Sequence, residues 1–310
     1  MIKINRVNIE EIKNEYLSKL NEIKFYKEKG NSIQSYWIDN RDRILIASPI
    51  DFEDIIKEFK EFTELDQSGN DANKFKIYMI NLYKKLFYNR EIGNWLAEKL
   101  DVKVCPYCNR QYTFTITKEK QKGEKQKRKD KKTTRPEFDH FHPKSECPYL
   151  ALSFYNLIPS CHTCNDLKKN EPIEINPYLD EFGDKCKFVL TDKEICRPAI
   201  IDKKNINIEF NFDEEKNIED FKHKCEVNID IFALRELYKE HIDYVEEIID
   251  KAQAYNADYY DSLIQSFSGL GKTPAEIDRC IWGNYIETAD HCKRPLSKLT
   301  RDILEQLGIK

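Results

Sequence analysis

The hydrophobic pattern divides the chain into three stretches. Over the first hundred residues apolar positions recur at helical spacing. Ile9, Ile12, Tyr16, Leu20 and Ile23 form one stripe, with Asn8 as its N-cap and Glu11 three residues on. Phe52, Ile55, Ile56 and Phe59 form a second, and Phe75, Tyr78, Met79, Leu82 and Leu86 a third. Each predicts a helix that buries one face. From about 101 to 180 the periodicity is lost. Short β-like runs (Gln111–Thr117, Glu137–Phe141, Asn156–Ser160) are interrupted by Cys, His, Pro and Asn. Further on, INIEFNF (206–212) and KCEVNI (224–229) alternate as strands do. A helical stripe resumes through Ile231, Leu234, Tyr238, Ile242, Val245 and Ile249, with His241 along it as a packed histidine. Ser297 is placed to cap a last helix, and no internal repeat is present. The expectation is an α+β chain, mostly helical, with a helical region over 1–100, a small irregular core over 101–180 and a strand-then-helix region over 181–310.

Charge changes this picture in one place. The net charge is -4, which does not announce a nucleic-acid binder. Residues 118–135, KEKQKGEKQKRKDKKTTR, nevertheless carry ten basic and three acidic side chains, so the rest of the chain stands at -11. One account of this insertion is a solvated loop. The other is an arm in which Lys127, Arg128, Lys129, Lys131 and Lys132 follow a phosphate backbone, with Lys144 a further contact. No run of about 20 apolar residues exists to span a membrane, and the N-terminus lacks the apolar stretch of a signal peptide. The expected location is the cytoplasm.

In that compartment ten cysteines do not predict a disulfide framework. Six of them, Cys147, Cys186, Cys196, Cys225, Cys280 and Cys292, are scattered and read as buried or half-buried thiols. The other four form CPYC (Cys105, Cys108) and CHTC (Cys161, Cys164). Two such knuckles present four thiolates to one ion, and a weakly cored region of short strands needs the stability that a structural Zn²⁺ supplies. A redox C-x-x-C would lead into a long helix, whereas CPYC leads into the strand-like NRQYTFTIT. Joining the knuckles folds 109–160 into a closed loop.

Inside that loop lies FDHFHPKS (138–145). A hydrolytic phosphodiester site needs a hard, oxygen-ligated cation, a base for water and cations for phosphate. Asp139 offers a carboxylate to Mg²⁺ or Mn²⁺, His140 the base, Asn165 a second oxygen ligand, and Lys168 a phosphate contact. On an ideal strand Asp139 and His140 point to opposite faces, so for both to serve one site the backbone is expected to bend between them, with Pro143 shortly after marking the end of the strand. His142 stays open between third ligand, phosphate contact and loop filler.

The order D-H-x-x-P-x-S, then N-L-I-P-S-C-x-x-C-N-x-x-K, resembles the HNH endonucleases with their ββα-metal core. The resemblance implies that Asp139 is the metal-ligand acid, His140 the general base, Asn156 the Asn that braces the loop and orients the base, and Asn165 the last metal ligand. It implies a structural zinc on the four cysteines, single-metal hydrolysis, and products with 5′-phosphate and 3′-hydroxyl ends. The fuller run CPYCNRQY…DHFHPKS…YLALSFYNLIPSCHTCNDLKK is similar to the HNH subunits of bacterial antiphage systems, the Septu type and retron-associated relatives. Those work beside an ATPase partner. The implied substrate is nucleic acid, with DNA the expected form. In one respect the sequence departs: the Lys-Gly usual after the final Asn reads Lys168-Lys169.

Three other readings compete. A non-catalytic zinc module binding nucleic acid or protein has no need of Asp139, His140 and Asn165 together. A zinc deaminase needs H-x-E, and no Glu follows His140 or His142 at that spacing. An interaction subunit whose helical flanks deliver a silent nuclease to its target is compatible with the nuclease reading.

Overall fold

The computed structural model describes residues 1–23, 25, 31–64, 69–88, 91–116, 134–191, 206–213, 219–255 and 257–309. Internal contacts group them into two units. One comprises Asn5–Val102 and Thr113–Pro172; the other comprises Met1–Ile4, Lys103–Tyr112 and Ile173–Lys310.

In the first unit the three predicted stripes are helices: α1 (Ile9–Asn21), α3 (Phe52–Glu64) and α4 (Asn70–Tyr83). Two more, α2 (Ser32–Ile46) and α5 (Glu91–Leu100), accompany them. Ile12, Tyr16 and Leu20 of α1, Phe52, Ile55 and Phe59 of α3, and Phe75 and Met79 of α4 are buried, as helical spacing requires. Asn8 precedes α1 but makes no side-chain cap bond. The end of α4 widens into a π-turn over Lys84–Tyr88, which leaves Tyr83 and Phe87 stacked at 4.7 Å. Gly93 of α5 lies against that turn, where an added Cβ would sit 2.9 Å from the Phe87 carbonyl oxygen.

After these helices come β1 (Glu137–His140), β2 (Leu157–Ser160) and α6 (His162–Lys168). The strands pair antiparallel, Glu137 opposite Ser160 and His140 opposite Leu157. The link between them, PYLALSFYN, is buried almost throughout. Buried carbonyls need donors, and four consecutive ones find them in side chains. Trp37 Nε1 donates to Tyr149 O at 3.5 Å, Asn156 Nδ2 to Leu150 O at 2.9 Å, and Tyr16 Oη to Leu152 O at 2.8 Å. Ala151 O is met by His140 Nε2 at 3.1 Å. The link is thereby tied to α1, to α2 and to the end of β1.

The second unit contains β3 (Cys186–Leu190) antiparallel to β4 (Ile208–Phe212), then α7 (Glu219–Ile231), α8 (Leu234–Lys239), α9 (Ile242–Ala254), α10 (Ala257–Ser268), α11 (Pro274–Trp282) and α12 (Ser297–Gln306). Phe188 lies between Phe210 at 4.7 Å and Tyr238 at 4.2 Å, and Asp302 of α12 accepts the Phe188 N–H at 2.9 Å.

Several sequence expectations shift here. KCEVNI is helical, in α7: its buried residues Cys225, Asn228 and Ile229 follow helical spacing, and the Asn228 carboxamide accepts the Glu174 N–H at 2.9 Å. The stripe from Ile231 to Ile249 is interrupted at Ala233, which sits at φ 47°, and again at His241. Gln111–Thr117 forms no strand over its described residues, only isolated bridges Val104↔Tyr112 and Ile116↔Thr134. Helix α12 starts at Ser297, whose hydroxyl donates to Asn284 Oδ1 at 2.7 Å, one residue from the expected cap. The chain is α+β and mostly helical, as expected. Among the described residues no helix is long and apolar enough to cross a membrane.

His291 gives this unit an acid-sensitive point. It is 2% exposed, and burial together with the Lys298 and Arg301 charges lowers its pKa to about 4. The unfolded imidazole titrates near 6.5, so the unfolded state takes up the proton first. Its contribution is complete above pH ~6.5 and is lost as the pH falls toward 4. We expect the unfolding free energy to drop by on the order of 2–3 kcal/mol across that window from this group, and denaturant melts of His291→Gln to show a flatter pH dependence there.

Candidate active site

Strand β1 presents its side chains on two faces. Phe138 and His140 face the end of α4: the Phe138 ring lies 5.4 Å from Phe87, and the His140 ring meets Tyr83 edge-on at 4.5 Å. Tyr83 Oη also donates to Phe138 O at 3.1 Å. Glu137 and Asp139 face α6 instead, where Asn165 Nδ2 donates to Glu137 Oε2 at 2.6 Å and Lys168 Nζ lies 3.5 Å from Asp139 Oδ2. Strand alternation therefore holds to the last residue of β1, and the expected bend does not come before His140.

His140 and Asp139 are both buried, 4% and 3% exposed. A carbonyl only accepts, so the contact with Ala151 O requires the proton of a neutral imidazole on Nε2 and leaves Nδ1 as the basic nitrogen. Burial first, and then the Lys144 charge, hold the His140 pKa well below 6.5. The ring is neutral at physiological pH.

Asn156 is fully buried and spends its whole amide on backbone. Its Oδ1 accepts from His142 N at 2.7 Å, and its Nδ2 donates to His142 O at 3.1 Å as well as to Leu150 O. It clamps the segment after β1 from both sides. The His142 ring packs edge-on against Phe52 at 5.4 Å and lines a cavity of about 500 Å³ with Phe59 and Tyr149. Burial lowers its pKa to about 4. This is the environment of a packing residue.

The two lysines, both expected as phosphate contacts, lie in different surroundings. Lys168 is completely buried, and its ammonium donates to His140 O at 2.7 Å as well as pairing with Asp139. Burial lowers its pKa, against the opposing pull of Asp139. Lys144 is half-buried, its ammonium 5.3 Å over the Tyr83 ring, and its charge acts on both Asp139 and His140. Lys127, Arg128, Lys129, Lys131 and Lys132 lie outside the described residues.

The sulfurs of Cys105, Cys108, Cys161 and Cys164 lie within 4.8 Å of one another, all buried. Tetrahedral zinc–thiolate bonds of about 2.3 Å place sulfurs roughly 3.8 Å apart, so a small contraction suits this donor set to zinc. Asn109 adopts φ 50° behind the first knuckle, which lets the Arg110 N–H approach Cys108 Sγ at 3.4 Å. The knuckle is held further by Tyr238 Oη on Cys108 O at 2.6 Å and by Asn109 Nδ2 on His291 O at 3.0 Å. The cluster can hold a metal such as zinc.

Antiparallel β1–β2 leading into α6, with an Asp-His pair ending β1, is the ββα arrangement that the motif order implied. Residues 127–171 match the HNH endonuclease family model. This HNH segment contains β1, β2, α6 and the second cysteine knuckle. The Septu protein PtuB of Bacillus thuringiensis is 34% identical over 88 residues, 26% of this chain. The matched stretch covers 34% of that relative's length, about a third. No solved structure gives a significant match.

The HNH segment also contains residues the motif did not single out. Glu137 stands two positions before Asp139 and so shares its face, a signal that strand period alone carries. Ala151 acts through its carbonyl, and nothing in its side chain marks it. At the exit of α6, Lys169 adopts φ 48° where the family pattern has glycine. Lys169→Gly is expected to stabilise the protein by about 1 kcal/mol, read as a rise in Tm with an unchanged circular-dichroism spectrum.

Proposed function

We propose that the chain is a metal-dependent HNH endonuclease that hydrolyses phosphodiester bonds of nucleic acid, DNA by preference, and serves as the effector of a cytoplasmic antiphage defence complex with an ATPase partner. One observation carries the catalytic reading: a buried, neutral His140 whose Nε2–H is engaged by Ala151 O, next in sequence to a buried carboxylate on a ββα frame. The defence reading rests on the likeness to PtuB.

His140 takes a proton from water at Nδ1, generating the nucleophile for in-line attack on phosphorus. Asn156 keeps the strand exit fixed, and Lys168 holds the His140 carbonyl, so the imidazole does not have to be ordered during the reaction. Lys144, the half-buried cation beside both faces, meets the phosphate charge. Two hard oxygen donors, the Asp139 carboxylate and Asn165 Oδ1, suit Mg²⁺ or Mn²⁺. That cation supplies charge stabilisation at the transferring phosphoryl group and the leaving oxygen. Zinc on Cys105, Cys108, Cys161 and Cys164 has a structural role. The basic residues of 118–135 add affinity that does not depend on sequence.

The test incubates wild-type and His140→Ala protein with plasmid DNA and with RNA, in Mg²⁺ or EDTA, with and without the product of the neighbouring gene. Cleavage of DNA that requires both His140 and Mg²⁺ is the expected result. No cleavage by the wild type under any condition, with zinc bound and nucleic acid retained, favours the non-catalytic module.

A further inference from the structure

Asn165 belongs to the proposed metal site, and this inference rests on that reading. A carboxamide has two ends, and only its oxygen binds a hard cation. Rotation by half a turn about the last side-chain bond presents the amino group instead. Something must hold the oxygen outward.

The contacts around Glu137 do this. Glu137 and Asp139 lie on the same face of β1, and α6 runs along that face, with Lys168 reaching Asp139 and Asn165 reaching Glu137. Asn165 Nδ2 donates to Glu137 Oε2 at 2.6 Å. An ionised carboxylate only accepts, so it can engage only the amino end of the amide. That fixes Oδ1 on the side turned away from Glu137. The second carboxylate oxygen, Oε1, is engaged by His162 Nδ1 at 3.0 Å, one turn earlier on α6. Glu137 is thus gripped by two residues of the helix whose orientation it sets. The His162 side chain is 80% exposed, so its own contribution is small, and Glu137 carries the effect.

We propose that Glu137 is a positioning residue for the catalytic cation: its carboxylate locks the Asn165 amide with Oδ1 presented as a ligand, and it does not itself touch the metal. Sequence spacing permits this role, since the strand period puts residues 137 and 139 on one face and one helical turn separates 162 from 165.

The experiment measures Mn²⁺ binding to full-length, zinc-loaded protein, by the electron-spin signal of free Mn²⁺, alongside cleavage. Glu137→Ala is expected to weaken Mn²⁺ about tenfold, the effect of losing a ligand-orienting partner, and to lower cleavage at limiting metal more than at saturating metal. A second background makes the test specific. In Asn165→Asp the amide N–H is gone and the Glu137 carboxylate opposes a second carboxylate. There Glu137→Gln, which offers an N–H to the new acid, is expected to strengthen Mn²⁺ binding severalfold. In the wild-type background Glu137→Gln is expected to weaken it, so the sign of the effect reverses between the two. Weakening in both backgrounds overturns the proposal in favour of Glu137 as a direct ligand. No change in either makes the contact purely structural and overturns it as well. Asp139→Ala serves as the separate control: if it leaves Mn²⁺ affinity untouched, the metal site itself is misassigned, a different failure from that of Glu137.

Discussion

His140→Ala protein is expected to bind zinc and nucleic acid as the wild type does and to cleave nothing detectable. General-base catalysis contributes about 10²–10⁴-fold, and His140 is the imidazole next in sequence to Asp139. The structure makes this residue more than a motif position. Its Nε2 is committed to Ala151 O, its ring is held against Tyr83, and burial keeps it neutral. Because its folded pKa lies well below 6.5, the base stays unprotonated into mildly acidic solution. The rate of the wild type, at fixed metal, should therefore remain level from pH 8 to below pH 6.5, where an exposed imidazole would already have lost activity. Since the alanine leaves a void beside Tyr83, His140→Gln is the companion variant. It is closer in size and keeps a donor for Ala151, yet has no basic nitrogen, and equal inactivity is expected. An active His140→Gln enzyme would refute the assignment outright.

The second large effect is on stability, at Lys168. Both members of its pair with Asp139 are buried, 0% and 3% exposed. Removing one partner of such a pair leaves a charge stranded away from water, at a cost of about 3–5 kcal/mol. Lys168→Ala is expected to lower Tm by roughly 10 °C, taking about 2–4 °C per kcal/mol. Lys168→Met with Asp139→Asn, which removes both charges, is expected to recover much of that loss. A lysine that served phosphate alone would behave in the opposite way, with Tm unchanged and nucleic-acid affinity reduced. Thermal melts and binding measured on the same variant separate the two roles.

The difference between Lys168 and Lys144 shows what was legible in the sequence and what was not. The motif order located β1, β2, the start of α6 and both knuckles, because strand edges, turns and metal ligands leave fixed residue types at fixed spacings. The stripes of α1, α3 and α4 were legible for a similar reason: one buried face imposes helical spacing. Burial of a single charged side chain imposes no such pattern. Lys168 and Lys144 look alike in sequence, and only the packing of α6 on β1 draws one inside. The reading of KCEVNI as a strand failed because Cys225, Val227 and Ile229 alternate with Lys224, Glu226 and Asn228, a pattern that puts Cys225 and Asn228 on opposite faces. In α7 they are buried members of a helical face. Ala233 at φ 47° has no glycine or proline to mark the interruption in sequence.

The carbonyls of residues 149–152, each met by a different side chain, bear on how this protein can be handled and how it can evolve. Two of the donors, Tyr16 and Trp37, come from helices more than a hundred residues upstream. The stretch that sequence comparison recognises, 127–171, therefore lacks two of the donors that hold the segment beside His140. Cut out or grafted alone, it would carry Asp139 and His140 but leave Tyr149 O and Leu152 O without their donors. Transfer of this HNH segment between proteins requires the amino-terminal helices to move with it, so the recognisable signature and the heritable unit are different lengths of chain.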